Sequence, residues 1–271
     1  MLVNNSIFRL AGLSLVFLLA CSSPKRVARE YARNVDLPSI LYISTPFLYT
    51  EFHRPGEMGD SLNYFKPEKL VYALGDTLAE YLLNLYDSTF TASLRNMGFP
   101  LFSVDSIADF FSSERQKWQL SLVQASLEEH RIYIEDEVTF TDFSVVWDTV
   151  ISEYQYNVWF ELSPVNADST VPVHLLFAST HVSDHVKGRF VYDWGARVYR
   201  YSYDFRDIIA EDFILLFKEA AITNAEYLYD YFLNRYLYFH YRNPQKIKLY
   251  YTYDHQKNKI SPARGKRFIF M

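Results

Sequence analysis

Trp118-Gln119-Leu120-Ser121-Leu122-Val123-Gln124-Ala125-Ser126-Leu127 changes its apolar parity part-way along. Trp118, Leu120 and Leu122 alternate with polar residues, and then Val123, Ala125 and Leu127 continue on the opposite parity. Such a slip fits a strand with a bulge, because one extra residue moves every later side chain to the other face. A helix is the competing reading. Strand is preferred because residues 131–135 and 138–140 follow with clear two-residue alternation.

Working outward, residues 144–151, 154–162, 173–179 and 189–203 supply further strands. In the second of these, Tyr154, Tyr156, Val158 and Phe160 alternate with Gln155, Asn157, Trp159 and Glu161. Glu135-Asp136-Glu137 reads as a hairpin turn or a solvated edge, and 182–188 as a turn between strands. An antiparallel meander accounts for this run.

Upstream, residues 39–44 read as a first strand. Pro46, Pro55, Gly56 and Gly59 mark 45–66 as a long loop that holds Tyr49, Phe52, His53 and Met58. Tyr49 and Phe52 would form a partner site if exposed; packing of the loop back on the domain is the alternative. Pro67 and Glu68 suit a helix start. Leu70, Leu74, Leu78, Tyr81, Leu82 and Leu85 then form one face, with a break expected near 87–89 and a second segment carrying Phe90, Leu94 and Met97. A short strand over 101–104 and a short helix over 105–111 precede the sheet.

Downstream, 207–219 and 223–241 are expected to be two helices, the second opened by a Thr223/Glu226 capping box. Tyr229 and Tyr238 extend the aromatic surface around the second helix. They imply either burial on two sides or docking against a partner or membrane. Pro244 ends the helix, and 248–253 reads as a strand. The basic, aromatic end (Lys257, Lys259, Arg264, Lys266, Arg267, then Phe268 to Met271) suits anionic lipid, an acidic partner, or a lysine-protected edge. The expected fold class is α/β of the α+β type. A mostly antiparallel central sheet is packed by one long helix from the first half and by C-terminal helices.

The amino terminus carries a different kind of signal. Arg9 is followed by the apolar run 10–20, whose last three residues open Leu18-Leu19-Ala20-Cys21, where Cys21 is the only cysteine. The run is too short for an ordinary membrane span of about 20 apolar residues and has the pattern of a secretion signal. Leu18-Leu19-Ala20-Cys21 resembles the lipobox of bacterial envelope lipoproteins. That resemblance implies cleavage after residue 20 and palmitate-type acylation of Cys21, normally with three chains. A buried N-terminal helix and an unlipidated cleaved signal are the alternatives. Ser22 in place of Asp implies delivery to the outer membrane, and the lack of an acidic run after Cys21 favours its periplasmic face. Residues 21–36, with Lys25, Arg26, Arg29 and Arg33, read as a basic tether with a short helical turn, and 37–271 as one domain. The tether's charge would sit favourably over anionic headgroups.

Element order over about residues 39 to 240 distantly resembles the α/β domains of curli-secretion lipoproteins, the amino-terminal domain of TolB-like proteins, and auxiliary lipoproteins of lipid transport. No diagnostic motif supports any one of these, and the 45–66 excursion departs from the compact pattern.

The chain has a formal charge of −5, which offers no basic stripe for nucleic acid. Its 23 Tyr and 22 Phe against 8 Gly supply broad amphipathic surface, suited to sheets and interfaces. No glycine-rich phosphate loop and no Gly-x-Ser-x-Gly elbow occurs. A lone cysteine excludes a zinc–thiolate set. His181 and His185 are four apart, which on a helix would place both on one face toward a metal, with His174 as a distant third ligand. A solvated turn is the competing reading. Glu128-Glu129, Glu135-Asp136-Glu137 and Asp142 offer paired acids, which serve glycoside chemistry only at a defined separation in a cleft. No catalytic residue and no cofactor is assigned. The expectation is a lipid-anchored, non-catalytic envelope protein that binds, assembles or scaffolds another envelope protein. The alternatives are an envelope hydrolase or carbohydrate-acting enzyme, and a lipid-binding transport auxiliary.

Overall fold

The computed structural model describes residues 23–45, 47–53, 76–165, 173–241, 249–263, 265 and 267–270. The proposed signal, Cys21 and the expected helix start at 66–68 lie outside them. The elements are α1 (Pro24–Asn34), β1 (Ser39–Ile43), β2 (Leu48–His53), α2 (Asp76–Asn96), β3 (Leu101–Phe102), a 3-10 turn (Val104–Ser106), α3 (Ile107–Ser112), β4 (Lys117–Thr139), β5 (Ser144–Pro164), β6 (His174–Ser183), β7 (His185–Asp193), β8 (Val198–Arg206), α4 (Ala210–His240), β9 (Tyr251–Asp254), β10 (Lys259–Pro262) and β11 (Ile269–Phe270). They fall into two compact units. The larger comprises Pro38–Ala225 with Ile269–Met271, and the smaller Met1–Leu37 with Glu226–Phe268.

The larger unit is a mixed α/β fold on a mostly antiparallel sheet of order β11-β6-β5-β4-β1-β3. β1 and then β2 run parallel along one side of β4, while β5 and β6 continue antiparallel on the other. The expected bulge is present, with the β4–β5 register shifting between Leu122 and Gln124. It exposes Val123 and buries Ala125 and Leu127 on the parity opposite to Leu120 and Leu122. One sheet face is covered by rings. Tyr86 and Phe90 of α2 meet Tyr156 and Phe160 of β5, and Phe213 and Phe217 of α4 meet Tyr154 and Tyr156. Each ring pair of this kind adds roughly 0.5–1.5 kcal/mol beyond its buried area.

Several sequence expectations need correction. The segment around 45–53 is not all loop, because Leu48–His53 pairs with β4 through six residues. α2 does not break at 87–89; Ser88 and Thr91 return their hydroxyls to the carbonyls of Leu85 and Asp87, which satisfies them inside the helix. Glu135-Asp136-Glu137 is no turn but lies within β4, which runs for 23 residues before turning at 140–143. The two strands expected in 144–162 are the single 21-residue β5. The turn expected at 182–188 shrinks to Asp184 alone. The two C-terminal helices are one 31-residue helix, so Thr223 is interior and caps nothing. A continuous apolar face through Ala220, Ala221, Ala225 and Leu228, all buried, outweighs the local start signal.

In the smaller unit the stretch expected to be a tether with a short helical turn is folded. Residues 24–34 form a full helix that buries Val27, Ala28 and Tyr31. Tyr31 rests edge-on against Tyr229 at 5.6 Å and tilted against Tyr236 at 5.3 Å. The β9–β10 hairpin is held by α4 side chains that act like a neighbouring strand. Asn234 donates to Tyr251 O at 2.7 Å and accepts from Tyr251 N at 2.9 Å, and Asp230 accepts from Tyr253 N at 2.8 Å.

Candidate interaction surface

Beyond His130 of β4 and Glu153 of β5, the central sheet narrows. Pairing with β2 ends at His130 and pairing with β6 ends at Glu153. Among the described residues, β4 and β5 continue from there as a hairpin with no further strand at its edges, through nine residue pairs from Arg131↔Ser152 to Thr139↔Ser144. At about 3.4 Å per residue this arm reaches roughly 30 Å. β7 and β8 form a second hairpin, also of nine pairs, from His185↔Arg206 to Asp193↔Val198.

The two hairpins are joined face to face by aromatic residues. Trp147 of β5 stacks on Tyr201 of β8 at 4.1 Å and meets Tyr203 at 5.2 Å. The Tyr201 hydroxyl donates to Asp136 of β4 at 2.8 Å. Tyr201 also covers Gly188, where an added Cβ would run into its ring. Glycine here makes room for a cross-strand ring, as edge glycines do when an aromatic residue folds over them. The bond to Asp136 raises the Tyr201 hydroxyl above its ordinary range. The bond to Asp148 raises Tyr133 to about 12. Both remain neutral donors at physiological pH.

The far end of this double hairpin gathers half-buried rings around two exposed ones. Phe140 and Phe143 stack at 4.7 Å across the β4–β5 turn, and Phe140 meets Tyr199 at 4.5 Å. Tyr199 meets Tyr192 at 5.0 Å, and Tyr192 meets Trp194 at 4.8 Å. Trp194 is 84% exposed and Phe143 54%, with Val146, Val191 and Val198 exposed nearby. The β7–β8 turn is stiffened by Asp193, whose carboxylate accepts from Gly195 N and Ala196 N at 2.9 and 3.0 Å and pairs with Arg200 at 3.2 Å. The Ala196 amide above all, with Arg200 and the Gly195 amide, holds its pKa below the ordinary carboxylate value. Arg197 closes the turn in the left-handed region at φ 58°. The rigid turns thus present large, low-entropy rings to solvent, the chemistry of an interface anchor.

A buried polar cluster fixes the base of the arm. Glu129 is fully buried and pairs with Arg131 at 3.1 Å, and Arg131 donates to Ser152 Oγ at 2.6 Å. Asp184, at the β6–β7 junction, accepts from Ser152 N at 2.8 Å and from Ile208 N at 3.0 Å.

The other sequence candidates are scattered. Tyr49 is 51% exposed on β2. Phe52 lies on the same strand, and its side chain is outside the described residues. Tyr238 is 60% exposed on α4. Tyr229 is a correction to the partner surface: it is buried, stacked on Tyr253 at 5.4 Å and edge-on to His255 at 4.4 Å. Neighbouring Glu128 and Glu129 sit on successive positions of β4. Glu128 accepts from Asn157 at 2.6 Å while Glu129 pairs with Arg131, so the two acids do not converge. His181 lies on β6 and His185 on β7, so the helical spacing is not realised. His174 starts β6 seven residues away, about 23 Å along the strand. Among the described residues no group of three His, Cys, Asp or Glu is placed to hold a metal ion.

The tip rings Phe140, Phe143, Tyr192, Trp194 and Tyr199 were missed by sequence reasoning, because 189–203 reads as one strand. The signal was Asp193-Trp194-Gly195-Ala196, a turn-forming Asp and Gly around an exposed Trp. Comparison of the chain with protein families and with curated proteins found no match.

Proposed function

We propose that this chain is a lipid-anchored, non-catalytic component of a bacterial cell envelope, acting at the periplasmic face of the outer membrane. Its double-hairpin arm holds another envelope protein. Trp194 carries this reading: a ring 84% exposed at the end of a stiff arm, beside Tyr192 and within one chain of ring contacts from Phe143. Such rings dominate binding energy at protein interfaces. A protein partner is favoured over lipid for the arm because the larger unit is strongly acidic, with 27 Asp and Glu against 13 Lys and Arg in its sequence. That charge repels anionic headgroups. The Leu18-Leu19-Ala20-Cys21 resemblance supplies the anchor and the compartment.

The test is affinity capture from gently solubilised native membranes with a tagged chain, beside Trp194→Ala/Phe143→Ala and Cys21→Ala forms. A stoichiometric envelope protein lost from the tip variant supports the reading. Equal recovery with the tip variant, or recovery of the monomer alone, refutes it. Incorporation of labelled palmitate into the parent chain and not into Cys21→Ala tests the anchor separately.

A further inference from the structure

The basic tether and the basic carboxyl-terminal extension, at opposite ends of the sequence, belong to one compact unit. Beyond residue 20, the smaller unit's sequence holds 13 Lys and Arg against 5 Asp and Glu, a formal +8. The larger unit, with 13 against 27, stands at −14. The modest net charge of the whole chain conceals this division.

Local geometry gives the positive charge a form. Lys25, Arg29 and Arg33 recur every four residues, so they stack on successive turns of one α1 face. Val27, Ala28 and Tyr31 take the buried side. Arg29 and Arg33 line a small surface pocket with Ala32, Tyr253, Asn258 and Ile260. Among the described residues neither guanidinium is in a salt bridge. Two of the unit's acids are engaged elsewhere. Asp254 accepts from Lys257 N at 2.9 Å, and the buried Asp230 accepts from Tyr253 N. Glu30 and Asp36 are the acids next to the basic row. The same unit exposes Tyr238, Phe239 and Leu249, with the Arg235 guanidinium 5.0 Å above the Phe239 ring. Cations beside amphipathic rings suit the boundary between headgroups and water.

We infer that the smaller unit binds anionic phospholipid surfaces directly, with Arg29 and Arg33 taking the headgroup phosphate. This contact is made by folded protein rather than by acyl chains, and it depends on neither the fate of Cys21 nor the role of the arm. Each basic side chain near an anionic surface strengthens binding about fivefold, and the attraction weakens within a Debye length, about 10 Å at 0.1 M salt.

The experiment is co-sedimentation of the full chain carrying Cys21→Ala with two vesicle types, phosphatidylcholine alone and phosphatidylcholine mixed with phosphatidylglycerol. Binding is expected only to the second and is expected to fall as salt rises. Arg29→Gln/Arg33→Gln should weaken it roughly 25-fold, with circular dichroism checking that the unit stays folded. Lys187→Gln/Arg189→Gln, which removes two cations from the larger unit, should leave it unchanged. Equal binding to both vesicle types, or equal loss with the two double variants, overturns the inference. Inorganic phosphate at matched ionic strength distinguishes the other source of this chemistry. Saturable phosphate binding without vesicle binding makes the pocket a site for a soluble anion and also overturns the inference. Capture of an acidic protein with no vesicle binding does the same.

Discussion

Asp184 and Ser152 hold each other twice: Asp184 N donates to Ser152 O at 2.9 Å, and Ser152 N donates to the Asp184 carboxylate at 2.8 Å. The other carboxylate oxygen takes Ile208 N at 3.0 Å. One buried side chain therefore fastens β5, the β6–β7 junction and the approach to α4. Asp184→Ala strands two buried amides, at roughly 1–3 kcal/mol each. We expect a loss of about 2 kcal/mol or more in denaturant unfolding. Hydrogen exchange should accelerate first at Ser152 and Ile208, and unchanged exchange at both would show that the latch is dispensable.

Gly188 sets the distance between the two hairpins. Gly188→Val drives a side chain into the Tyr201 ring and should displace it from Trp147 and Asp136. The expected result is a changed near-ultraviolet circular dichroism signal and altered tryptophan emission, with far-ultraviolet signal preserved. An intact aromatic signal would mean that Tyr201 does not rest on Gly188 in solution.

Trp194 should contribute little to stability, because it is mostly exposed. Trp194→Ala is expected to shift unfolding by no more than about 0.5 kcal/mol while abolishing partner capture. A large stability loss would make the tip a folding element instead of an anchor.

Asp230 gives the smaller unit a pH dependence. Burial above all, with Glu226 nearby, raises its carboxyl to about 8, against the ordinary carboxylate value in the unfolded chain. Between those values the folded state holds a proton that the unfolded state has released. Stability is therefore greatest below the unfolded value and falls as pH rises toward 8, by at most about 1.4 kcal/mol per pH unit from this group. Asp230→Asn keeps an acceptor for Tyr253 N and should flatten the slope between pH 5 and 8. Thermal unfolding of both forms across that range, with identical slopes, would remove Asp230 as the cause.

In the larger unit's core, Asn224 donates to the Tyr86 hydroxyl at 2.8 Å, and both side chains are buried. Tyr86→Phe leaves that amide unpaired and should cost about 1–3 kcal/mol. Pairing it with Asn224→Leu should recover part of the loss, measured as a double-mutant cycle.

Much of the sheet was legible because its signals are short-range. Parity recorded the bulge at Val123, and alternation recorded the strands on either side. Length was not legible. Glu135-Asp136-Glu137 has the composition of a turn, yet in the arm both faces are partly wet and acids are tolerated inside a strand. Thr223 and Glu226 spell a helix start, yet burial of the surrounding alanines carries α4 through them. Tyr229 and Tyr238 look alike in sequence; the hairpin at 251–262 and Tyr31 of α1, both brought against α4, cover one of them. The Asp184 latch was hidden for the same reason, since a single acid between two histidines announces nothing until Ser152 arrives beside it.

The chain crosses between its units three times, and its last crossing brings β11 to pair antiparallel with Leu176 and Phe177 of β6. The sheet is thus completed by residues 269–270, which follow all its other strands in sequence. Its edge therefore closes only after the smaller unit's second segment has been made. Displacing residues 269–270 from β6 would uncover a strand edge ready to recruit another chain.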